Sequence, residues 1–248
     1  MTRPMRVLVA WEFSGTVREA FLARGHDAWS CDLLPDERGS NRHIRGDVRE
    51  ILNDGWDLLM VAHPPCTRLC NSGVRWLSEP PVQLTAEHYT VQEMEAYKRM
   101  TRDEHLTFMW HKLDEGAALF SDLWNAPIER KALENPVMHD HAKKRIRNYR
   151  AFSQSLQPYH FGHRETKRTC LWLDNLPPLR HTTPELETEY RSLPAEERRK
   201  WAKVHNASPG AGRWAERSRF FKGIANAMAD QWGELHPDAA TPQLELAV

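Results

Sequence analysis

Short apolar runs alternate with amphipathic segments along the first quarter of the chain. The runs at 6–10, 27–31 and 58–62 have the length and composition of strands buried on both faces of a parallel sheet. In the segment 15–24, apolar residues recur at helical spacing, and Gly25 follows as a residue that ends a helix. The alternation predicts an α/β fold, a doubly wound and mostly parallel sheet with a ligand crevice at its carboxyl edge.

Later segments continue the same alternation of strand-like and helical patterns. Residues 86–125 are predicted to be mainly helical, with a break near Gly116. Strand-like runs cover 130–133 and 169–173. The pattern therefore predicts further strands that join the sheet formed by the first quarter of the chain.

The remaining segments define a predicted domain organisation. Residues 1–176 are expected to form the core, and 177–215 a reduced insert that is irregular except for one short polar helix near 195–203. Residues 216–234 are predicted to close the core with a small-residue amphipathic helix. The last segment, 235–248, is expected to be a frayed tail.

Composition and charge exclude several classes of protein. Lys+Arg and Asp+Glu both number 34 in a chain of 248 residues, so the formal net charge is zero. This balance argues against a protein that coats nucleic acid by bulk electrostatics, although it allows an enzyme with one local basic groove. No apolar run approaches the length of about 20 residues that a membrane span requires. We expect a cytoplasmic protein without a membrane partner.

Four cysteines raise the question of metal or disulfide chemistry. Cys66 and Cys70 have the spacing of a metal-ligating pair, but no second pair follows, so no zinc site is expected. A disulfide framework is not expected in a cytoplasmic chain of this size. Cys70 is interpreted as structural, and the chemistry of Cys66 depends on the turn that carries it.

Two short turns that follow predicted strands carry groups suited to catalysis. Pro64-Pro65-Cys66 presents a thiol, which is a candidate nucleophile, and Glu134-Asn135-Pro136 presents a carboxyl group. Chemistry in open α/β sheets gathers at the carboxyl ends of strands, where both turns are expected. A buried structural thiol and a surface glutamate are the alternatives, and His63 is expected to pack or to line the pocket.

The ordered set of motifs resembles the DNA cytosine-5 methyltransferases, most closely their short phage-type members. The order of a Pro-Cys turn, a Glu-Asn element and a basic strand carries the resemblance, which covers most of the chain. The matching segments are Trp11-Glu12-Phe13-Ser14-Gly15, Asp32, Asp47, Pro65-Cys66, Glu134-Asn135-Pro136, Phe161-Gly162 with Lys167-Arg168-Thr169, and 218–232.

The resemblance implies the Rossmann-like fold of S-adenosylmethionine-dependent methyltransferases and a covalent mechanism. Cys66 is expected to add to C6 of cytosine, while Glu134 protonates or hydrogen-bonds N3 and holds the exocyclic amine. Asn135 is expected to brace the Cys66 turn. Lys167 is expected to contact phosphate or the catalytic loop, or else to be a solvated charge.

The resemblance also implies a set of residues that bind S-adenosylmethionine. Gly15 would let the backbone approach the cofactor, and an aromatic neighbour would stack on its adenine. Asp32 would accept both ribose hydroxyls and Asp47 the adenine amine, with capping of a helix or turn as the alternative. The expected set is Trp11, Phe13, Gly15, Asp32, Asp47 and Pro65.

The expected partner is DNA with its target cytosine flipped out of the stack. The segment 67–84 is the expected mobile loop that closes over the base, with Gly73 as its flexible point. The stretch 143–150 is the strongest basic cluster. It is expected either to lie along a phosphate backbone or to form a solvated helix face. The region between the basic strand and the closing helix has only about forty residues, which predicts short or loose sequence specificity.

Other functions remain open at this stage. The same fold could modify a free cytosine nucleotide or use a related alkyl donor, because the chain has little room for a target-recognition domain. A catalytically inert DNA-binding relative is a further alternative. Amino-methylation of a base is disfavoured because Cys66 supplies neither the stacking ring nor the hydrogen bond which that reaction requires.

Overall fold

The computed structural model describes residues 3–61, 66–86, 88–206 and 219–235, with the backbone alone at 66, 205 and 206. A seven-stranded sheet has the order β3-β2-β1-β4-β5-β7-β6. Its strands are β1 (Arg6–Ala10), β2 (Asp27–Asp32), β3 (His43–Arg45), β4 (Leu58–Val61), β5 (Arg130–Asn135), β6 (Gln154–Leu156) and β7 (Thr169–Asp174).

Helices flank this sheet along the chain and alternate with its strands. The helices of the described residues are α1 (Thr16–Leu22), α2 (Val91–Tyr97), α3 (Arg102–Trp124), α4 (Asp140–Lys143), α5 (Pro184–Ser192), α6 (Ala195–Lys200), α7 (Lys203–Asn206) and α8 (Lys222–Gly233). No helix in this part of the chain combines the length and the apolar character needed to cross a membrane.

Parallel pairing links the first five strands, whereas the last pair is antiparallel. β1 pairs with both β2 and β4, β2 with β3, and β4 with β5, all in parallel, and β6 runs antiparallel to β7. The prediction of an α/β fold with a doubly wound, mostly parallel sheet is therefore confirmed. The winding direction reverses at β1, so the carboxyl ends of β1 and β4 mark the position at which such sheets bind ligands.

Contacts divide the chain into two compact units. Unit 1 comprises residues 1–64, 126–134 and 150–248, and unit 2 comprises 65–125 and 135–149. The segment predicted as one core, residues 1–176, therefore contributes to both units. The predicted tail, 235–248, lies outside the described residues except for Leu235.

The core of unit 1 lies between the sheet and the helices α1 and α8, which contact each other. The parallel register places Val7 beside Leu58 and Val9 beside Met60, so these four side chains share one face of the sheet. Leu8, on the opposite face, is also fully buried. Burial on both faces explains why these strands appear in the sequence as continuous apolar runs.

The predicted break near Gly116 is wrong. α3 runs without interruption from Arg102 to Trp124 and begins with a capping box formed by Thr101 and Glu104. A glycine inside a helix costs only about 1 kcal/mol relative to alanine. Here a Cβ atom at Gly116 would lie 3.4 Å from the Leu69 side chain, so the glycine also permits close packing.

The predicted irregularity of 177–215 is also wrong for the described part, 177–206. Besides the helix near 195–203, this part contains α5, which the apolar pattern did not indicate. α5 buries only Leu186 among its residues, so it shows little hydrophobic periodicity. Its sequence signals are a proline in the first turn, acidic residues near the start and a basic residue near the end.

Gly223→Ala should destabilise the protein, because α8 approaches the Phe161 backbone closely at this position. A Cβ atom would lie 1.8 Å from the Phe161 carbonyl oxygen, so the helix must move. We expect a loss of about 1–3 kcal/mol in the free energy of unfolding, measured by urea denaturation. Gly46→Ala is the matched control: its Cβ meets nothing within 4 Å, and its change should stay within about 0.5 kcal/mol. Equal effects of the two substitutions would contradict this packing.

Candidate functional site

The loop after β1 turns sharply at two residues with left-handed backbone conformations. Trp11 has a φ of 53° and Gly15 a φ of 66°. A non-glycine residue in this region is strained, and such strain concentrates at functional sites. Trp11 is partly exposed, and Phe13 is 8% exposed with its carbonyl oxygen accepting a hydrogen bond from the Glu37 amide.

Glu12 lies buried inside this loop and caps the start of α1. Its carboxylate accepts hydrogen bonds from the backbone amides of Val17 (2.5 Å) and Arg18 (3.0 Å). Burial raises the pKa of Glu12 to about 7, although these hydrogen bonds oppose the shift. The sequence pattern did not single out Glu12, and its only signal was an acid a few residues before a predicted helix.

The side chain of Arg18 packs against Gly15. A Cβ atom at Gly15 would lie 2.3 Å from Nη2 of Arg18. The Arg18 side chain is fully buried and forms an ion pair of 2.7 Å with Asp36 and a hydrogen bond of 2.6 Å to Ser30. The missing side chain of Gly15 therefore makes room for the guanidinium group, in addition to any approach by a ligand.

Asp32 ends β2 at the carboxyl edge of the sheet. One carboxylate oxygen accepts a hydrogen bond of 3.0 Å from the Leu34 amide, and the residue is 9% exposed. Burial raises the pKa of Asp32. The next residue, Leu33, is 64% exposed. A buried acceptor beside an exposed apolar side chain is suited to a ligand with hydroxyl groups and an apolar ring.

Asp47 follows β3 and caps the helical turn Val48–Glu50. Its side chain accepts a hydrogen bond from the Arg49 amide, and both of its oxygens contact the Arg49 guanidinium. The hydrogen bonds from the Arg49 side chain lower the pKa of Asp47. The structure thus places Asp47 at the same sheet edge as Asp32, in the capping role that the sequence left open.

The expected nucleophile turn lies only partly within the described residues. His63 and Pro65 fall outside them, as does the side chain of Cys66. The backbone of Cys66 begins a 3-10 turn that ends at Arg68. The position of Cys66 is therefore known from its backbone and from the pairing of the residues that follow.

Glu134 and Asn135 form the carboxyl end of β5. Glu134 is 4% exposed and Asn135 is fully buried. The Asn135 amide nitrogen donates a hydrogen bond of 2.9 Å to the Pro136 carbonyl. Its Oδ1 atom is buried and finds no hydrogen-bond donor among the described residues. A buried acceptor without a donor costs about 1–3 kcal/mol, so this position favours a further polar group.

Backbone pairing within unit 2 joins the segments that follow the two candidate turns. Residues 69–71 run antiparallel to 137–139, with an isolated bridge between Cys70 and Met138. Backbone hydrogen bonds of 3.0 and 3.1 Å flank the bridge on its two sides. The chain just after Cys66 is therefore fixed beside the chain just after Asn135.

The expected basic strand lies at the start of β7 in unit 1. The Lys167 amide donates to the Gln157 side chain at 3.0 Å, and Lys167 is half-buried. Burial raises the pKa of the Cys170 thiol, with a further increase from Glu134 and a decrease from Arg168. β5, which carries Glu134, and β7 are neighbours in the sheet, so the expected carboxyl group lies on the strand next to the expected basic strand.

Acidic residues neutralise much of the basic cluster at 143–150. Arg145 pairs with Asp114 at 2.5 Å and Arg147 with Asp122 at 2.7 Å, both on α3. Lys143 pairs with its neighbour Asp140. The cluster is thus an ion-paired surface rather than a row of uncompensated cations, which reduces its attraction for phosphate.

Comparison with protein-family models gives no match, and comparison with curated protein sequences gives none either.

Glu12→Gln should flatten the pH dependence of stability. The Glu12 pKa is about 7 in the folded protein and 4.5 in the reference state. The stabilising contribution is therefore full below pH 4.5 and is lost as the pH rises to 7 and above. Wild type should lose about 3 kcal/mol more than the variant between these limits. Urea denaturation across this pH range measures the difference, and parallel profiles would contradict a protonated, buried Glu12.

Proposed function

We propose that this chain transfers a methyl group from S-adenosylmethionine to C5 of cytosine in DNA, with short or loose sequence specificity. Cys66 acts as the nucleophile and Glu134 as the acid that stabilises the adduct. The observation that carries the proposal is the pairing of the chain after Cys66 with the chain after Asn135. Two motifs separated by nearly seventy residues in the sequence thus lead into one short antiparallel contact.

The geometry of this contact supports a common site for the two motifs. Cys66 and Glu134 each precede the Cys70–Met138 bridge by four residues. Part of the path from Cys66 is a 3-10 turn, which advances only about 2 Å per residue. In addition, β4 and β5 are parallel neighbours, so the chain leaves both strands at the same edge of the sheet.

The loop after β1 supports a donor of the S-adenosylmethionine type over a dinucleotide. Dinucleotide folds bind a pyrophosphate at the helix N-terminus after the first strand. Here Glu12 already occupies the amides of Val17 and Arg18. The Glu12 carboxyl group would repel a pyrophosphate at these amides, whereas it would not repel a sulfonium ion. Asp32 and the exposed Leu33 suit the ribose and the adenine ring of such a donor.

The proposed chemistry uses the residues of the two turns. The Cys66 thiolate adds to C6 of cytosine while Glu134 donates a proton or hydrogen bond to N3, which makes C5 nucleophilic. S-adenosylmethionine would supply the electrophilic methyl group; C5 attack on it breaks the methyl–sulfonium bond, and S-adenosylhomocysteine leaves. Loss of the C5 proton then expels the thiolate and restores the aromatic ring. The buried Oδ1 of Asn135 supports a role for this residue in orienting the turn or an amine.

A smaller substrate, a free cytosine nucleotide, is the second candidate. The ion pairs that neutralise the basic cluster at 143–150 favour it, because they leave less charge to follow a DNA backbone. Both candidates share the same chemistry at Cys66 and Glu134. Mass spectrometry of DNA and of nucleotide pools after reaction separates them by the molecule that gains the methyl group.

Cys66→Ser should lower methyl transfer by more than about a thousandfold, because it removes the nucleophile. The assay is incubation with labelled S-adenosylmethionine and cytosine-containing DNA, followed by detection of label at C5. Cys70→Ser is the matched control: a serine there keeps a polar contact to Ser72 and should retain a rate close to that of wild type. Full activity of Cys66→Ser would exclude the covalent mechanism. Wild type that binds DNA but forms no adduct with fluorocytosine DNA would favour an inert relative.

Asp32→Asn should weaken binding of S-adenosylhomocysteine by about tenfold or more, since a charged acceptor is lost from the ribose position. Asp47→Asn should have a smaller effect, because Arg49 already contacts both oxygens of Asp47. Isothermal titration calorimetry measures both affinities. If Asp32→Asn binds S-adenosylhomocysteine with unchanged affinity, the proposed contact between Asp32 and the ribose is wrong.

A further inference from the structure

Three metal-ligating side chains meet in unit 1, on elements that carry none of the residues assigned to catalysis. His160 lies in the 3-10 turn Pro158–Phe161, His181 in the loop before α5, and Glu187 within α5. Their candidate ligand atoms all lie within 4.8 Å of one another. In the sequence, only the cysteines suggested a metal site. The spacing of His160, His181 and Glu187 along the chain does not indicate that the fold brings these three residues together.

The distances are close to those of a coordination sphere. Oε2 of Glu187 lies 3.8 Å from Nε2 of His160 and 3.3 Å from Nδ1 of His181. Bonds of about 2.0–2.2 Å to a tetrahedral metal place neighbouring ligand atoms roughly 3.3–3.6 Å apart. The separation between His181 and Glu187 already fits this range, and the separation between His160 and Glu187 must shorten by a few tenths of an ångström.

Backbone contacts hold the ligands in place before any ion binds. The His160 carbonyl oxygen accepts hydrogen bonds from the amides of Thr182 (3.0 Å) and Thr183 (3.1 Å), which fix the loop of His181 against the turn. The two imidazole rings stack nearly parallel, with their centroids 3.7 Å apart. Because a metal lies in the plane of each imidazole that binds it, the partly exposed His181 ring must rotate to share an ion with His160. The backbone around both histidines is already ordered by these hydrogen bonds, so binding requires the reorientation of a side chain and little ordering of the chain.

A basic residue orients the carboxylate towards the histidines. Arg191 donates to Oε1 of Glu187 at 2.5 Å, so that Oε2 is the oxygen that faces both rings. Such contacts to a ligand from outside the coordination sphere commonly fix its orientation. One contact competes: the Gln157 amide donates to Nδ1 of His160 at 3.2 Å, and metal binding at Nε2 moves the proton to Nδ1 and breaks this bond.

We propose that His160, His181 and Glu187 bind one divalent transition-metal ion of the Zn²⁺ class. Two imidazoles and a carboxylate suit zinc and its neighbours rather than Mg²⁺ or Ca²⁺, which prefer oxygen ligands. Three protein ligands leave a fourth position for water. The ion joins α5 to the turn Pro158–Phe161, and thereby fixes the insert to the rest of unit 1.

Zinc titration of the full-length, untagged protein tests this proposal, after treatment with a chelator and dialysis. Competition with a chromophoric chelator gives the stoichiometry and affinity, and the visible spectrum of Co²⁺ reports the ligand geometry. We expect one ion per chain and a rise in the thermal unfolding temperature when Zn²⁺ is added. Absence of binding to wild type would overturn the proposal. These readouts do not depend on methyl transfer.

His181→Ala and Glu187→Gln should each lower the Zn²⁺ affinity by at least about tenfold and abolish the thermal shift. His111→Ala is the matched control, because His111 is an exposed histidine 3.2 Å from Glu115 and belongs to no three-ligand group among the described residues. It should bind Zn²⁺ as wild type does. Circular dichroism in chelator verifies folding of each variant. Wild-type affinity in both folded variants would overturn the proposed ligand set.

Discussion

The arrangement of the candidate site depends on one constraint: parallel strands deliver their following residues to the same edge of a sheet. β1, β2, β4 and β5 are parallel, so the chemistry-bearing residues that follow or end them gather there. The bridge between Cys70 and Met138 adds a second constraint farther along the chain. It fixes the chain that follows Cys66 beside the chain that follows Asn135.

The buried carboxyl group of Glu12 occupies backbone amides at the start of α1. In many doubly wound folds the first helix offers its free amides to a phosphate. Here the protein supplies its own acceptor, and burial keeps that acceptor partly protonated near neutral pH. The same residue therefore links the pH dependence of stability to the proposed class of donor.

The sequence predicted the elements whose formation depends on local pattern. β1 was predicted with its observed bounds, and Gly25 has the left-handed conformation expected of a residue that ends a helix. Other features involve contacts between distant segments instead: Gly116 of α3 packs against Leu69, and Arg18 is held by Ser30 and Asp36. No periodicity encodes such contacts. The pairing that supports the candidate site likewise joins residues nearly seventy positions apart.

α5 shows what a metal ion would contribute to this fold. Its only buried residue is Leu186, so hydrophobic burial holds it weakly. Its other attachments are polar or aromatic: Arg164 pairs with Glu189, and Tyr159 stacks on Tyr190 with centroids 4.7 Å apart. Exposed ion pairs of this kind contribute little to stability because solvent screens them. An ion bound by three side chains would add a stronger link, which compensates for the small apolar core available to an insert of this size.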